Sequence, residues 1–333
     1  MTFQKIMVLG CNSFTGSNFV NFCLEKNKKV LGISRSNKNK KYMLKYSGNK
    51  RILSNFNYIN ADINKDLNRI LSSIKSYKPD VILNFIAQGE VRNSWKHPNH
   101  WYQTNSMSIV NLTSELYKYK FLKKYLAIST PEVYGSSKMK INENNYFNPS
   151  TPYASSKLSG DLHLLTLFKK YDFPVIFTRS SNVYGEYQQL YRIIPKTIIN
   201  LKKNKKIILH GLGKSKRDFI YISDVCNAFY KIIQNGKSGE TYHISSKNKL
   251  LTIKNLVKII CKKMNKNFEL STKLVDENFG QDSIYNLNSD KLRKKLNWSD
   301  MVSLESGIDN TLKWINENWN NIKNESTDYK HKI

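Results

Sequence analysis

Two short segments carry side chains able to move protons. One reads Ser129-Thr130-Pro131-Glu132-Val133-Tyr134-Gly135, the other Thr151-Pro152-Tyr153-Ala154-Ser155-Ser156-Lys157. Thr130, Glu132, Tyr153 and Lys157 thus bring a hydroxyl, a carboxylate, a phenol and an amine into one stretch of chain. Tyr153 and Lys157 lie four apart, so on a helix they share a face. A neighbouring ammonium favours the phenolate and lowers the tyrosine pKa, which suits Tyr153 to deprotonating an alcohol. His97-Pro98-Asn99-His100 lacks the i, i+4 spacing of a helical zinc pair and has no cysteine partner, so no metal is expected.

A second group of residues suits a nucleotide. Gly10-Cys11-Asn12-Ser13-Phe14-Thr15-Gly16 follows an apolar run, Ile6-Met7-Val8-Leu9, and precedes a helical pattern. Gly10 and Gly16 allow a tight turn and a close backbone approach, and a pyrophosphate is favoured at the helix start beside Asn12, Ser13 and Phe14. Ser13 stands where a middle glycine is usual. The next apolar run ends Gly32-Ile33-Ser34-Arg35-Ser36. A carboxylate there would bind a ribose 2′-hydroxyl. Arg35 and Ser36 suit a 2′-phosphate instead, so NADP is expected rather than NAD. Asp62 and Ile63 follow the third strand, where they are placed either to cap an adenine or to cap the next helix.

These groups need a scaffold. Apolar runs at 6–9, 30–33, 56–60, 81–85, 125–128 and 175–178 alternate with helical patterns at 17–26, 66–77, about 100–119 and 152–170. Buried runs alternating with helices predict an α/β Rossmann-type, doubly wound parallel sheet. After residue 180 the pattern turns irregular. This predicts a smaller, discontinuous lobe from about 181–215 and 247–322, with residues 1–180 and about 216–246 forming the nucleotide domain and 323–333 a polar surface tail.

The chain has 333 residues and a formal net charge of +29. Its lysines are spread along most of the sequence, as in Lys202-Lys203-Asn204-Lys205-Lys206, which reads as solvated surface rather than a nucleic-acid stripe. No apolar run approaches the roughly 18 residues of a membrane span, and the first residues do not form a signal peptide. Four scattered cysteines, Cys11, Cys23, Cys226 and Cys261, suit a reduced, cytoplasmic protein.

With these motifs in hand, the chain resembles the extended short-chain dehydrogenase/reductases, and among them the nucleotide-sugar 4,6-dehydratases. The resemblance covers about residues 5–320. It rests on the glycine turn, Asn84-Phe85-Ile86-Ala87-Gln88, the Ser129 and Tyr153 segments, Arg179-Ser180-Ser181-Asn182-Val183-Tyr184-Gly185, and Arg217-Asp218-Phe219-Ile220-Tyr221-Ile222-Ser223-Asp224. It implies that Lys157 bonds the nicotinamide ribose and that Thr130 bonds the sugar oxygen served by Tyr153. Ala87 and Gln88 line the dinucleotide. Asn182, Arg192 and Arg217 hold a nucleoside-diphosphate sugar; arginine suits this because its fork pairs with phosphate oxygens.

The resemblance further implies oxidation at C4 of the sugar, which acidifies the C5 proton as an enolate of the ketone. Glu132 is placed to remove it. Water leaves from C6, where the hydride returns, giving a 4-keto-6-deoxy sugar nucleotide. A homodimer through the helices at about 100–119 and 152–170 is implied as well. Pro131 stands where such dehydratases often carry an aspartate acid, so protonated Glu132 or a water must serve the C6 hydroxyl. Gly89-Glu90 replaces a common Ser-His, and Asn278-Phe279-Gly280-Gln281-Asp282 lacks an expected phosphate-binding arginine. The alternatives are a 4-epimerase or a UDP-glucuronate-type decarboxylase of the same fold. From another class, a non-catalytic cofactor-binding regulator would have no need of Thr130, Tyr153 and Lys157.

Overall fold

Ile6 and Val8 face one side of the first strand and Met7 and Leu9 the other, and all four are fully buried. A strand apolar on both faces requires a covering layer on each. The computed structural model describes residues 3–36, 40–48, 52–144, 146–276 and 284–332. Its centre is a seven-stranded sheet formed by β1 (Lys5–Leu9), β2 (Lys29–Ser34), β3 (Phe56–Asn60), β4 (Val81–Asn84), β5 (Lys124–Ile128), β6 (Val175–Ser180) and a late strand, Thr241–Ile244. The order across the sheet is Thr241–Ile244, β6, β5, β4, β1, β2, β3, with every pairing parallel. The doubly wound architecture expected from the apolar runs is therefore present.

One face carries α1 (Phe14–Glu25) and the helix Ile222–Asn235, whose Phe19, Cys23, Val225 and Phe229 pack on Val8, Leu83 and Ile176. The opposite face carries α2 (Leu67–Tyr77) and later helices, whose Ile70, Ile74, Leu112 and Leu164 pack on Met7, Ile82 and Val175. Both layers leave the carboxyl ends of β1, β4 and β5 open, where open α/β sheets form their binding crevices.

The single helix expected over about 100–119 is in fact three pieces. After the short α3 (Val91–Ser94) come α4 (Pro98–Tyr102), a π-helical turn over Gln103–Met107, and α5 (Ser108–Leu116). The reason lies in α6 (Pro152–Tyr171), which packs against the turn: a Cβ at Gly160 would stand 2.5 Å from the Asn105 carbonyl oxygen. The extra residue in the turn aims Asn105 inward. At this end of the stretch Trp101 is fully buried, whereas Trp95, just after α3, is exposed.

Beyond β6 the chain forms short paired strands. β7 (Asn182–Tyr184) pairs with Phe219–Tyr221, and Ile207–His210 with Thr272–Val275. Around them pack α7 (Ile193–Lys202), Ile253–Lys263 and Leu304–Glu317. Among the described residues no helix is long and apolar enough to cross a membrane.

Candidate active site

A cavity of about 1090 Å³ opens at the carboxyl ends of the strands and runs from β2 to the paired strands beyond β7. Its first wall is the turn between β1 and α1. Gly10 has φ +78°, and a Cβ there would lie 2.9 Å from the Phe85 carbonyl carbon; one at Gly16 would lie 2.3 Å from the Gly10 carbonyl oxygen. Only glycine fits such approaches. Ser13, in place of a middle glycine, caps α1 by accepting from the Gly16 amide at 3.1 Å. Gly10, Asn12, Ser13 and Phe14 line the cavity, while Gly16 sits behind them. Asn12 donates to the Ser36 carbonyl at 2.9 Å, which ties the turn to the end of β2.

Arg35, Ser36, Asp62 and Ile63 line the next part of the cavity. The Arg35 guanidinium is 4.0 Å from the Asp62 carboxylate, so the cation expected to meet a phosphate has an acidic neighbour. Ala87 and Gln88 follow at the end of β4. A cradle of glycines, a helix N-terminus and polar side chains along one cleft fit a dinucleotide.

Thr130, Glu132 and Tyr153 meet at the end of β5. Thr130, two residues beyond β5, caps a single helical turn, Pro131–Tyr134, accepting from the Glu132 amide at 3.3 Å. Pro131 occupies the first position of that turn, where its missing N–H goes unused. The Tyr153 hydroxyl is hydrogen-bonded to Thr130. Burial raises the Tyr153 phenol above its ordinary range and the Glu132 carboxylate adds to this; the Thr130 bond and the Arg192 guanidinium oppose it. The lowering expected from Lys157 does not prevail in the protein alone. Lys157 lies behind the main cavity, its ammonium donating to the Ile128 carbonyl at 2.8 Å. Burial lowers its pKa and the Asp161 carboxylate opposes this.

Asn182 lines the cavity at the start of β7, and Arg192 and Arg217 line it as well. Arg192 caps α7. Arg217 is buried with its guanidinium 4.5 Å above the Tyr285 ring. Glu90, from the Gly89-Glu90 departure, caps α3 by accepting from the Asn93 amide at 2.6 Å. The Asn278–Asp282 segment lies outside the described residues.

Three features escape a reading of motifs. Asn105 accepts from the Gln88 amide at 2.9 Å and donates to the Gln88 carbonyl at 3.0 Å and the Ser156 hydroxyl at 3.0 Å, joining the cleft wall to the Tyr153 helix. Its signal in the chain is the polar run Thr104-Asn105-Ser106 inside an otherwise amphipathic helix. Asp161 and Arg179 form a buried ion pair beneath the site. The third is the segment after Ile322, expected as a surface tail. It instead crosses the cleft, and Tyr329, Lys330 and Lys332 line the cavity. The Lys332 carbonyl accepts from Gln88 at 2.7 Å and from Arg35 at 3.4 Å. The His331 ring stacks 5.1 Å from each of His97, His100 and Trp101, and its Nε2 is 2.8 Å from Nδ1 of His100. Upstream, Asp328 pairs with Lys196 at 3.0 Å and the Tyr42 hydroxyl donates to Glu325 at 2.7 Å.

The glycine cradle, the parallel sheet and the Thr130–Tyr153 pair define an extended short-chain dehydrogenase/reductase that uses an NAD(P) cofactor. The sequence profile of the family described as GDP-mannose 4,6 dehydratase matches residues 7–311, and the chain belongs to that family. Among curated relatives, dTDP-D-glucose 4,6-dehydratase of Bos taurus is 34% identical over 276 residues, covering 81% of this chain and 77% of the relative. The solved structure of dTDP-glucose 4,6-dehydratase from Bacillus anthracis in complex with NAD is 30% identical, with a TM-score of 0.82 over 95% of this chain and 98% of that one. UDP-glucuronic acid 4-epimerase from Bacillus cereus, solved with UDP-glucuronic acid and NAD, is 26% identical, with a TM-score of 0.83 over 94% and 99%.

Proposed function

We propose that this protein is a nucleotide-sugar 4,6-dehydratase, with dTDP-glucose the first substrate to test, because the curated relative named for that substrate is 34% identical over most of both chains. It is an enzyme, a hydro-lyase. The observation that carries the reading at the site is a carboxylate, Glu132, one turn from the Thr130–Tyr153 pair and on the same cavity wall. Hydride exchange at C4 alone needs a single base; removal of a carbon-bound proton needs another.

A nicotinamide held along the cleft by Gln88, Tyr153 and Lys157 would supply hydride uptake from C4 and hydride return at C6. Tyr153 takes the proton of the C4 hydroxyl, and Thr130 holds that oxygen in line. Lys157 stabilises the phenolate once cofactor charge joins its own. Glu132 then takes the C5 proton, made acidic by the C4 ketone. The C6 hydroxyl leaves as water with a proton from Glu132; as the hydride reaches C6, C5 takes up a proton from solvent and Tyr153 releases the C4 hydroxyl proton to solvent, so the protons balance. Cofactor and residues end as they began, and the sugar has lost one water. Arg217 and Arg192 hold the diphosphate, with Asn182 beside them.

Arg35 and Ser36 at the end of β2 support NADP. Four buried cysteines, none of them paired, support a cytoplasmic setting. Tyr102, Met107 and Leu162, exposed on α4, the π turn and α6, support a homodimer through these helices. Light scattering with size-exclusion chromatography tests the dimer.

The enzyme is tested by incubation with dTDP-glucose, GDP-mannose, UDP-glucose and UDP-glucuronate. Mass spectrometry showing loss of one water supports the proposal. Loss of carbon dioxide, or a new NMR spectrum at constant mass, replaces it with decarboxylation or epimerisation.

A further inference from the structure

Asp161 and Arg179 are almost wholly buried, with side-chain exposures of 8% and 2%, and lie 3.1 Å apart. A buried ion pair is seldom the most stable choice, since apolar residues of the same volume often do as well or better. Its surroundings suggest another use. Asp161 lies one helical turn beyond Lys157 on α6, and the same carboxylate oxygen that meets Arg179 accepts from the Ser129 hydroxyl at 2.5 Å. Ser129 immediately precedes Thr130. Arg179, on β6, donates its other arm to the Tyr134 hydroxyl at 2.5 Å, with its guanidinium 4.8 Å from the centre of that ring. Tyr134 closes the single turn that carries Glu132.

The chain of contacts continues outward. The Tyr134 hydroxyl, occupied as an acceptor by Arg179, lies 2.9 Å from Nε2 of His243, whose Nδ1 is 3.1 Å from the Asn288 carbonyl. A neutral His243 with its proton on Nδ1 satisfies both contacts. Burial and the Arg179 charge keep it neutral, pushing its pKa down to about 3. Tyr134 is thus fixed at both ends of its hydroxyl.

We propose that Asp161 and Arg179 are positioning residues that hold the Glu132 turn in register with the Tyr153–Lys157 helix. Through Ser129 the pair fixes the end of β5, and through Tyr134 it fixes the turn one residue pair beyond Glu132. The inference rests on the dehydratase reading, in which two bases must address adjacent carbons of one sugar. A misplacement of about 1 Å at such a site lowers rates roughly 10²-fold. Removing the Tyr134 end therefore acts on the Glu132 step alone, while removing Asp161 acts on both bases.

The full-length protein with NADP is given dTDP-glucose, and GDP-mannose in parallel. Absorbance of the reduced nicotinamide reports C4 oxidation in a single turnover, and deuterium entering C5 from heavy water reports the Glu132 step. For Tyr134→Phe the expected result is C4 oxidation within about twofold of the parent, KM unchanged, and C5 exchange reduced about tenfold or more, short of the full displacement loss. Asp161→Asn lowers both. An unchanged ratio of exchange to oxidation in Tyr134→Phe, beside an active parent, overturns the positioning inference alone. A parent that oxidises neither sugar overturns the dehydratase reading and this inference with it.

Discussion

The Gln88 side-chain amide donates to the Lys332 carbonyl at 2.7 Å, which sets the C-terminal segment across the mouth of the dinucleotide cleft. The same carbonyl accepts from Arg35. Two donors that face the cleft are therefore engaged by the chain's own backbone, and a dinucleotide using them must displace it. Deleting residues 323–333 is expected to speed NADP association several-fold, measured by stopped-flow fluorescence. Slower association or weaker affinity after the deletion would show the segment to be a wall of the site instead.

That contact should also respond to acid. The His331 pKa is lowered by burial first and then by His100, His97 and Arg35, with Glu90 opposing. The displaced segment, titrating near the ordinary value of about 6.5, binds protons more readily than the seated one. Seating is then fully favoured above that pH and weakens as pH falls through it towards the lower value. Because His331 stacks on Trp101, tryptophan fluorescence should be steady above about pH 6.5 and change as pH falls below it in the parent. His331→Gln should lose that transition; its persistence would assign it to another group.

Replacing Glu132 with Gln separates the halves of the reaction. Reduced nicotinamide should still accumulate with dTDP-glucose, because Thr130, Tyr153 and Lys157 are intact. Water loss should fall by about 10²–10⁴-fold, the usual range for a positioned base. Dehydration at the parent rate would remove Glu132 from the mechanism.

Cofactor choice turns on one cation. If Arg35 meets a 2′-phosphate, Arg35→Ala should weaken NADP about tenfold or more, since hydrogen bonds to charged groups contribute about 1.5–3 kcal/mol, and leave NAD within about twofold. Fluorescence titration of both dinucleotides measures it. Tighter NAD binding by the parent would contradict the NADP assignment, and the Asp62 carboxylate 4.0 Å away would be the reason to look at first.

The close crossing of α6 and the π turn predicts a structural penalty. A Cβ at Gly160 would meet backbone, not a movable side chain. Gly160→Ala should cost about 1–3 kcal/mol, seen as a lower urea midpoint with an unchanged slope. A midpoint equal to the parent's would mean that the crossing relaxes freely.

Much of this arrangement was legible in the chain because its signals are local. Gly10, Ser13 and Gly16 announce a strand-to-helix turn, and the two-sided burial of Ile6–Leu9 announces a covered parallel sheet. The motifs around Thr130 and Tyr153 name their own neighbours. What escaped depends on contacts between distant residues. The π turn looks like continuous helix until Gly160 presses on it. Asp161 and Arg179 stand 18 positions apart, and only the fold brings them together as a buried pair. Nothing in the polar segment after Ile322 foretells its carbonyl meeting Gln88, a bond spanning 244 positions. The amine of Lys157 shows the same limit: its spacing from Tyr153 is visible in sequence, its engagement with Ile128 is not.

Pro131 has a stereochemical consequence. The turn Pro131-Glu132-Val133-Tyr134 contains a single carboxyl group. On the proposed mechanism that group both accepts the C5 proton and protonates the departing oxygen, and a carboxylate held on one wall reaches only one face of the sugar. The two bonds must therefore break on the same face, a syn elimination. A deuteron placed at C5 would depart, at least in part, in the water released.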